Sequence, residues 1–234
     1  MEKIYKKLIK GIRQYFNKAG VKKAVIGLSG GVDSALSLKL VADAIRNENV
    51  TALLMPEKGL TKKENVEHAV DLCKRLKVDY KIIEINPFLE TFKKINIKQN
   101  KDSWINLKPR IRMLILYNYS NANNALVIGT SNKTELALGY FTKYGDGACD
   151  LEVIGDLYKA EVWELARYLK LPLAIINKMP SAELYVGQTD EGQIGERYKD
   201  IDLMLRGKKK MSEKVRKLIK GNMHKTERIP VIRK

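Results

Sequence analysis

The sequence has few cysteines, few prolines and no long apolar run, and each shortage excludes a class of protein. Two cysteines in 234 residues provide neither a disulfide framework nor the ligand spacing of a zinc site. Six prolines, with 30% charged and 44% hydrophobic residues, are not typical of a fibrous or disordered chain. Apolar runs such as 113–116 are far shorter than the roughly 20 residues of a membrane span. The composition predicts a globular protein that lies in the cytoplasm and contacts no membrane.

Positive charge exceeds negative charge by 17, and much of the excess lies near the C-terminus. Residues 206–234 contain twelve Lys/Arg and two Asp/Glu, so this basic segment has a net charge of +10. Lysine outnumbers arginine 33 to 11, although arginine forms the better forks for phosphates and bases. No basic motif with stacking aromatics is present. We therefore expect a site for an anionic small molecule, and nucleic-acid binding is the less favoured alternative.

Strand-like and helix-like segments alternate along the chain. The predicted strands are 22–28, 50–55, 80–85 and 125–129, and the predicted helices among them are 34–46, 61–76 and 106–119. Thr61 and Glu64 have the spacing of a capping box, and Pro109 would lie in the first turns of its helix. This alternation predicts an α/β fold, a doubly wound and mostly parallel sheet flanked by helices, in one domain over 1–234. Ligands should then bind at the carboxyl ends of the strands.

Both termini carry amphipathic helical patterns. The N-terminal helix, residues 1–20, has Ile4, Leu8, Ile12 and Tyr15 on one face, which would pack on a partner subunit or on the protein's own core. In the basic segment, a helix near 211–220 is predicted to end at Gly221 in a left-handed conformation. The residues after it would then return over the site as a lid, or remain a solvated tail.

The segment SGGVDS at 29–34 connects the first predicted strand directly to the first predicted helix. Two adjacent glycines allow a tight turn in which backbone N–H groups approach an anion, and the helix adds its positive end. Asp33 would repel a phosphate, and a bridging divalent cation would explain its presence. Neither the Walker A loop nor the Rossmann glycine pattern is present. The segment therefore predicts a phosphate-binding loop, with a tight turn and an aspartate helix cap as the alternative.

SGGVDS resembles the signature of the PP-loop ATP pyrophosphatases, which cleave ATP to AMP and pyrophosphate. Together with later segments it resembles the NAD synthetases, in order along the chain from about residue 20. These segments are NLKPRIRM (106–113), IGTSNKTE (128–135), GYFTKYGDGACD (139–150), IGDLYK (154–159), PSAELYVGQTDE (180–191) and HK (224–225). The resemblance implies an adenine nucleotide alpha hydrolase-like fold. It also implies a ligase that joins ammonia to deamido-NAD through an adenylate, giving NAD, AMP and pyrophosphate.

The resemblance further implies roles for single residues, with Mg²⁺ as cofactor and ATP as co-substrate. The implied ATP contacts are Gly27, Leu28, Ser29, Gly30, Gly31, Val32, Asp33, Ser34, Thr130, Lys159 and Ser181. The implied deamido-NAD contacts are Arg110, Lys143, Asp150, His224 and Lys225. Asp33 and Glu135 match the magnesium ligands, and no side chain is implied as a nucleophile. Lys159 begins a predicted helix off its apolar face, so we expect it to be free to reach a phosphate.

Several of these side chains also have simpler explanations. Glu135 could be an ordinary solvated helix residue and Ser181 a helix cap, while Lys143 and His224 could be surface residues. Arg110 and Arg112 point about 200° apart on a helix, so one ligand should not contact both, and the motif favours Arg110. The segment after residue 224, HKTERIP, departs from the family pattern and weakens the implied roles there.

Three functional alternatives follow from these patterns. The favoured one is the ammonia-dependent synthetase, acting as a homodimer in this family. Another PP-loop activity, such as that of a GMP synthetase or a tRNA thiolase, is the enzyme alternative, and GYFTKYGDG argues against it. A basic nucleotide- or RNA-binding protein that kept the fold is the non-enzyme alternative. Glutamine-dependent relatives add a glutaminase domain, and we expect this chain to use free ammonia.

Overall fold

The computed structural model describes residues 1–233, so Lys234, the last residue of the predicted basic segment, lies outside the described residues. The strands are β1 (Lys23–Gly27), β2 (Val50–Leu54), β3 (Asp79–Ile82), β4 (Ala125–Gly129) and β5 (Leu151–Glu152). The helices are α1 (Glu2–Ala19), α2 (Val32–Ile45), α3 (Lys63–Leu76), α4 (Asn86–Lys93), α5 (Lys101–Asn123), α6 (Lys133–Leu138), α7 (Lys159–Tyr168), α8 (Leu173–Ile176), α9 (Asp190–Ile194), α10 (Tyr198–Leu205) and α11 (Glu213–Thr226). Within this described part, no helix combines the length and apolar character needed to cross a membrane.

The five strands form one parallel sheet in the order β3-β2-β1-β4-β5. Ile26 of β1 pairs with Ala52 of β2 on one side and with Ile128 of β4 on the other. The chain thus runs from β1 toward one edge of the sheet and later returns to the opposite side of β1. Such a reversal is the topological switch point at which open α/β sheets bind ligands. The predicted doubly wound α/β fold is confirmed.

Helices cover both faces of the sheet. On one face, α1, α2, α3 and α7 contribute to a single apolar cluster whose buried members include Ile12, Phe16, Leu36, Cys73 and Val162. On the other face, Ile111 and Ile115 of α5 pack against Val25 and Val127. The predicted N-terminal helix therefore docks on its own chain, and Cys73 is a core residue as predicted.

A third apolar cluster joins the C-terminal helices to α6, the short helix that follows β4. Its buried members are Leu138, Ile194, Tyr198, Ile201, Met204 and Val215. This packing positions α9, α10 and α11 beside the carboxyl end of β4. The C-terminal segments that resemble the synthetases are therefore close to the predicted ligand-binding edge.

Several local predictions are wrong at element boundaries. Helix α5 begins at Lys101 rather than near 106, which puts Pro109 in its third turn instead of its first turns. The Thr61–Glu64 capping box does not form, because α3 begins at Lys63 and the Thr61 hydroxyl instead accepts a hydrogen bond from the Glu57 N–H at 3.0 Å. Helix α4 and strand β5 were not predicted, since both are short and weakly patterned.

The predicted end of the last helix is also wrong. Helix α11 runs without interruption through Gly221 to Thr226, so Gly221 does not provide a left-handed stop. His224 and Lys225 therefore lie in the last turn of a helix, not on a chain that folds back as a lid. The contacts of Asn222 and Lys225 with the end of α6 explain why this helix continues, as described below.

Candidate active site

The phosphate-binding loop is held by its own serine hydroxyls. The Ser29 hydroxyl accepts a hydrogen bond from the Gly31 N–H at 3.2 Å, and the Ser34 hydroxyl donates to the Gly31 carbonyl at 3.1 Å. Gly30 has a φ of 76°, and a Cβ at this position would overlap the carbonyl of Asn65 in α3. Only glycine therefore fits this turn, which leads into α2 and directs the free N–H groups of its first turn toward the carboxyl edge of the sheet.

The two predicted metal ligands meet although 102 positions separate them in the chain. Asp33 lies in the first turn of α2, after β1, and Glu135 lies in the first turn of α6, after β4. Because β1 and β4 are adjacent and parallel, the helices that follow them begin side by side. Both carboxylates contact the same cation, the Lys159 ammonium, at 2.7 Å and 3.3 Å respectively.

Lys159 is at the centre of this cluster and is 1% exposed. The prediction that it is free to reach out from its helix is therefore wrong: its side chain turns inward at the start of α7. Burial alone would lower the pKa of Lys159, but the carboxylates of Asp33 and Glu135 outweigh burial and hold that pKa above its ordinary value. Burial raises the pKa of Glu135, and the Lys159 ammonium opposes that rise. The cluster is thus a desolvated ion pair with one cation between two carboxylates.

A cavity of about 280 Å³ lies against this cluster, near the lower end of the roughly 300–1,000 Å³ typical of ligand pockets. Its wall includes ten of the eleven predicted ATP contacts, namely Gly27, Leu28, Ser29, Gly31, Val32, Asp33, Ser34, Thr130, Lys159 and Ser181, and also Glu135. Gly30 is in the same loop but lies against α3. Thr130 follows β4 directly. The structure therefore brings the predicted ATP contacts together around one space.

The segment 178–184 forms another wall of the cavity and is fastened near its C-terminal end. Glu183 pairs with Lys178 at 3.3 Å and accepts a hydrogen bond from the Asn65 side chain. Lys108, itself buried, donates to the Leu184 carbonyl at 2.8 Å and pairs with Glu57 at 2.7 Å. Five polar side chains thus hold this segment over the phosphate-binding loop.

The five predicted deamido-NAD contacts do not line this cavity. Arg110 donates to the Lys143 carbonyl at 3.3 and 3.4 Å, and the Lys143 ammonium donates to the His224 carbonyl. The Asp150 carboxylate accepts from the Val127 N–H at 2.7 Å and from the Tyr117 hydroxyl at 3.2 Å. Arg110, Lys143 and His224 are thus connected to one another, whereas Asp150 contacts a separate set of groups.

Lys225 fastens α11 to this segment. Its ammonium donates to the carbonyls of Gly139 and Phe141 at 2.8 Å each, and Asn222 donates to the Leu138 carbonyl at 3.0 Å. Burial lowers the pKa of Lys225. Two side chains from the last turns of α11 therefore satisfy backbone carbonyls at the end of α6, which is why the helix continues past Gly221.

A family-level comparison agrees with this arrangement of loop, carboxylates and cavity. The model of the NAD synthase family matches residues 4–233, almost the whole chain. The chain belongs to the NAD synthase family.

Similar proteins have matching names. The NH(3)-dependent NAD(+) synthetase of Archaeoglobus fulgidus is 45% identical over 99% of this chain and 97% of its own length. Among solved structures, the NMN synthetase from Francisella tularensis superposes with a TM-score of 0.91, at 34% identity over 99% of this chain and 98% of that one. The NH3-dependent NAD synthetase from Campylobacter jejuni, in complex with the nitrate ion, superposes with a TM-score of 0.80, at 36% identity over 100% and 99%.

Within this NAD synthase site, sequence reasoning missed four residues around the ion pair. The Asn132 side chain donates to Asp33 at 2.9 Å and caps α6 in a reciprocal capping box with Glu135. The buried Tyr198 hydroxyl lies 3.1 Å from Asp190 and 3.4 Å from Glu135, and the Tyr140 hydroxyl lies 3.3 Å from Asp190. The Asn-x-x-Glu spacing was a readable capping signal. Nothing in the sequence pattern points to Tyr198, which reaches the site only through the third apolar cluster.

Proposed function

We propose that this chain catalyses the ATP-dependent amidation of deamido-NAD by ammonia, giving NAD, AMP and pyrophosphate. The observation that carries the proposal is the meeting of the phosphate-binding loop with Glu135 at one cavity, in a member of the NAD synthase family. Adenylation of the nicotinate carboxylate needs positioning and charge neutralisation rather than a protein nucleophile. The residues of this cavity are suited to both tasks.

Each wall of the cavity has a distinct role in the proposal. The first N–H groups of α2 and the hydroxyls of Ser29 and Ser34 bind the phosphates, and pyrophosphate leaves from this loop. Thr130 and Ser181, on opposite walls, contact the rest of ATP. Arg110, Lys143, Asp150, His224 and Lys225 bind deamido-NAD directly or hold the segment that does. The acceptor carboxylate then lies where segment 139–150 meets the cavity.

Asp33 and Glu135 would hold the magnesium ion. Their geometry fits such an ion, because one cation, the Lys159 ammonium, already contacts an oxygen of each carboxylate. Among the described residues, no group of three or more His, Cys, Asp or Glu could hold a metal alone. Two carboxylates completed by substrate phosphates are the arrangement that Mg²⁺ prefers. When bound, the ion would neutralise charge that develops on the leaving pyrophosphate.

Free ammonia is the proposed nitrogen donor for this chain. Releasing ammonia from glutamine would need a reactive thiolate, and burial raises the pKa of Cys73 to about 11. Burial and the neighbouring Glu152 carboxylate also raise the pKa of Cys149. Both thiols thus stay protonated near neutral pH, which makes them poor nucleophiles.

The decisive experiment measures AMP formation from ATP with and without deamido-NAD, in the presence of Mg²⁺ and ammonium. We expect AMP and NAD in equal amounts, only when deamido-NAD is present, at a rate that rises with pH as ammonium deprotonates. Xanthosine monophosphate and tRNA are the control acceptors. AMP formation that ignores deamido-NAD, or that follows one of the controls, would refute the assignment.

A second acceptor has one observation in its favour. The chain superposes more closely on the Francisella NMN synthetase than on the Campylobacter NAD synthetase. Nicotinate mononucleotide carries the same reacting carboxylate without the adenylyl half, so the same adenylation chemistry applies. Comparing kcat/KM for deamido-NAD with that for nicotinate mononucleotide decides between them. We expect deamido-NAD to be preferred, and a higher value for the mononucleotide would transfer the assignment to NMN synthesis.

Assembly and location complete the proposal. A homodimer is proposed from the family resemblance, and sedimentation at micromolar concentration tests it. The cytoplasm is the proposed compartment, because Cys73 and Cys149 are both free thiols.

A further inference from the structure

The protein itself already uses every oxygen of the two candidate metal ligands. One Asp33 oxygen accepts from the Asn132 side chain at 2.9 Å, and the other contacts the Lys159 ammonium at 2.7 Å. One Glu135 oxygen accepts from the Asn132 N–H at 3.2 Å, and the other lies 3.3 Å from the Lys159 ammonium and 3.4 Å from the Tyr198 hydroxyl. A carboxylate oxygen can accept more than one contact, so the hydrogen bonds alone do not exclude a metal ion, but an ammonium group that contacts both carboxylates repels a divalent cation at the same place.

Lys159 is the partner that must leave. The contacts of Asn132 belong to the helix cap of α6 and to the link between α6 and α2, so they are part of the fold. The Lys159 ammonium lies at the end of a flexible side chain that also forms part of the cavity wall. It is the only cation among these partners, and its single ammonium group contacts both carboxylates.

We propose that Lys159 occupies the magnesium position until nucleotide binds, and that Mg²⁺ and Lys159 then exchange places. The entering phosphates attract the ammonium into the cavity, which frees the Asp33 and Glu135 carboxylates that would hold the divalent ion. After the exchange both partly buried carboxylates would again face a cation, which matters because a charge left unpaired in a desolvated place is costly. This inference rests on the proposed magnesium site and adds an order of binding to it.

Tyr198 keeps Lys159 in the resting position. The ammonium lies 4.8 Å from the centre of the Tyr198 ring and 5.8 Å from that of the Trp163 ring, within the range of cation–π attraction. Trp163 meets the Tyr198 ring edge to face, at 6.1 Å between centroids. The aromatic pair thus adds cation–π contacts to the two ion pairs that hold the ammonium.

The proposal makes nucleotide-free metal binding the property to measure. Mn²⁺ serves as the probe, because its free fraction can be followed by electron paramagnetic resonance without any turnover. The variants are Lys159→Met, which empties the position, and Lys108→Met, which removes another buried lysine paired with a carboxylate, Glu57, away from Asp33 and Glu135. Circular dichroism confirms that each variant is folded.

We expect the wild type to bind Mn²⁺ weakly without ATP, and Lys159→Met to bind it at least tenfold more tightly. The Lys159→Met protein should also melt at a lower temperature than the wild type, and millimolar Mg²⁺ alone should restore its Tm. Lys108→Met should show neither the tighter binding nor the Mg²⁺ rescue. Adding Glu135→Gln to Lys159→Met should abolish the gain in affinity.

Unchanged Mn²⁺ affinity in a folded Lys159→Met protein would overturn the exchange. If that variant does not fold, Tyr198→Leu provides the test. Removing the Tyr198 ring should loosen Lys159 and tighten nucleotide-free Mn²⁺ binding by about threefold. Unchanged Mn²⁺ affinity in Tyr198→Leu would also overturn the exchange. These readouts need neither deamido-NAD nor catalysis. If the amidation assay fails, the Mn²⁺ binding and melting measurements can still be interpreted. If those measurements contradict the exchange, the amidation proposal is unaffected.

Discussion

The phosphate-loop side of the site lies on the ends of adjacent strands, whereas the deamido-NAD side lies on a loop and a C-terminal helix. On the first side, Asp33 and Glu135 lie in the first turns of the helices that follow β1 and β4, and they converge because those strands are neighbours. On the second, Arg110, Lys143 and Lys225 meet through backbone carbonyls. Sheet topology thus fixes one side, and side-chain anchoring of a loop fixes the other. Substitutions on the first side should therefore lower kcat, whereas substitutions on the second should displace segment 139–150 and weaken binding of deamido-NAD.

The largest expected effect is on the phosphate-loop side. Asp33→Asn keeps the size of the side chain and removes the charge that would hold magnesium near pyrophosphate. Loss of one metal interaction costs several kcal/mol of transition-state stabilisation, which lowers kcat about 100- to 1,000-fold. Initial rates of AMP formation across a Mg²⁺ titration measure it. Near-normal turnover at low Mg²⁺ would show that Asp33 is not a ligand.

Lys225→Met should act on the deamido-NAD side through position. It leaves the carbonyls of Gly139 and Phe141 without their donor, which costs about 1–3 kcal/mol and loosens segment 139–150. We expect the apparent KM for deamido-NAD to rise about tenfold while the KM for ATP changes less than twofold. Lys220→Met, exposed on the same helix, is the matched control. Equal changes in both KM values would remove the distinction between the two sides.

Arg110 and Arg112 of α5 test where the boundary between the two sides of the site lies. Arg112 lines the cavity and donates to the Met55 carbonyl at 3.0 Å, whereas Arg110 is exposed and holds the Lys143 carbonyl. Arg112→Gln should raise the KM for ATP about threefold to tenfold, and Arg110→Gln that for deamido-NAD by a similar factor. Steady-state kinetics with each substrate varied in turn measure both. If the two variants affect the same substrate, the boundary lies elsewhere.

The smallest expected effect on activity concerns Glu152, which does not line the cavity and accepts a hydrogen bond from the Ser131 N–H at 3.0 Å. Burial raises the pKa of Glu152 to about 7. The folded state therefore favours the protonated form, so stability is full below the unfolded pKa and is lost as the pH rises through about 7. Glu152→Gln should remove this loss, so at pH 8 its free energy of unfolding should be about 1–2 kcal/mol larger than that of the wild type.

At pH 5 the same variant should differ little from the wild type. Urea unfolding at the two pH values measures the effect, and Glu164→Gln, at an exposed position of α7, is the control. A stability difference that is the same at both pH values would show that Glu152 does not titrate in this range. Substrate KM values should not change, because Glu152 does not line the cavity.

The same division explains what the sequence could predict. The strands that carry the site have buried apolar runs of distinctive length, so β4 was predicted to the residue and β1 within one residue at each end. The ligand-binding edge then followed from the rule for open α/β sheets, whereas the adjacency of β1 and β4 was seen only in the structure. The inward turn of Lys159 was not predictable, because its partners come from two other helices far away in sequence. The continuation of α11 was missed for a similar reason, since Asn222 and Lys225 gain their partners only in the tertiary structure.

Asn65 links two parts of the cavity that are far apart in the chain. Its carbonyl lies against Gly30 and excludes any larger residue there, while its side chain donates a hydrogen bond to Glu183 of the cavity-lining segment 178–184. The position of α3 therefore affects both the space at Gly30 and the contact with Glu183. A protein with a shorter or rebuilt segment 178–184 would need a different contact on α3, and any shift of α3 changes the space available to the phosphate-binding loop.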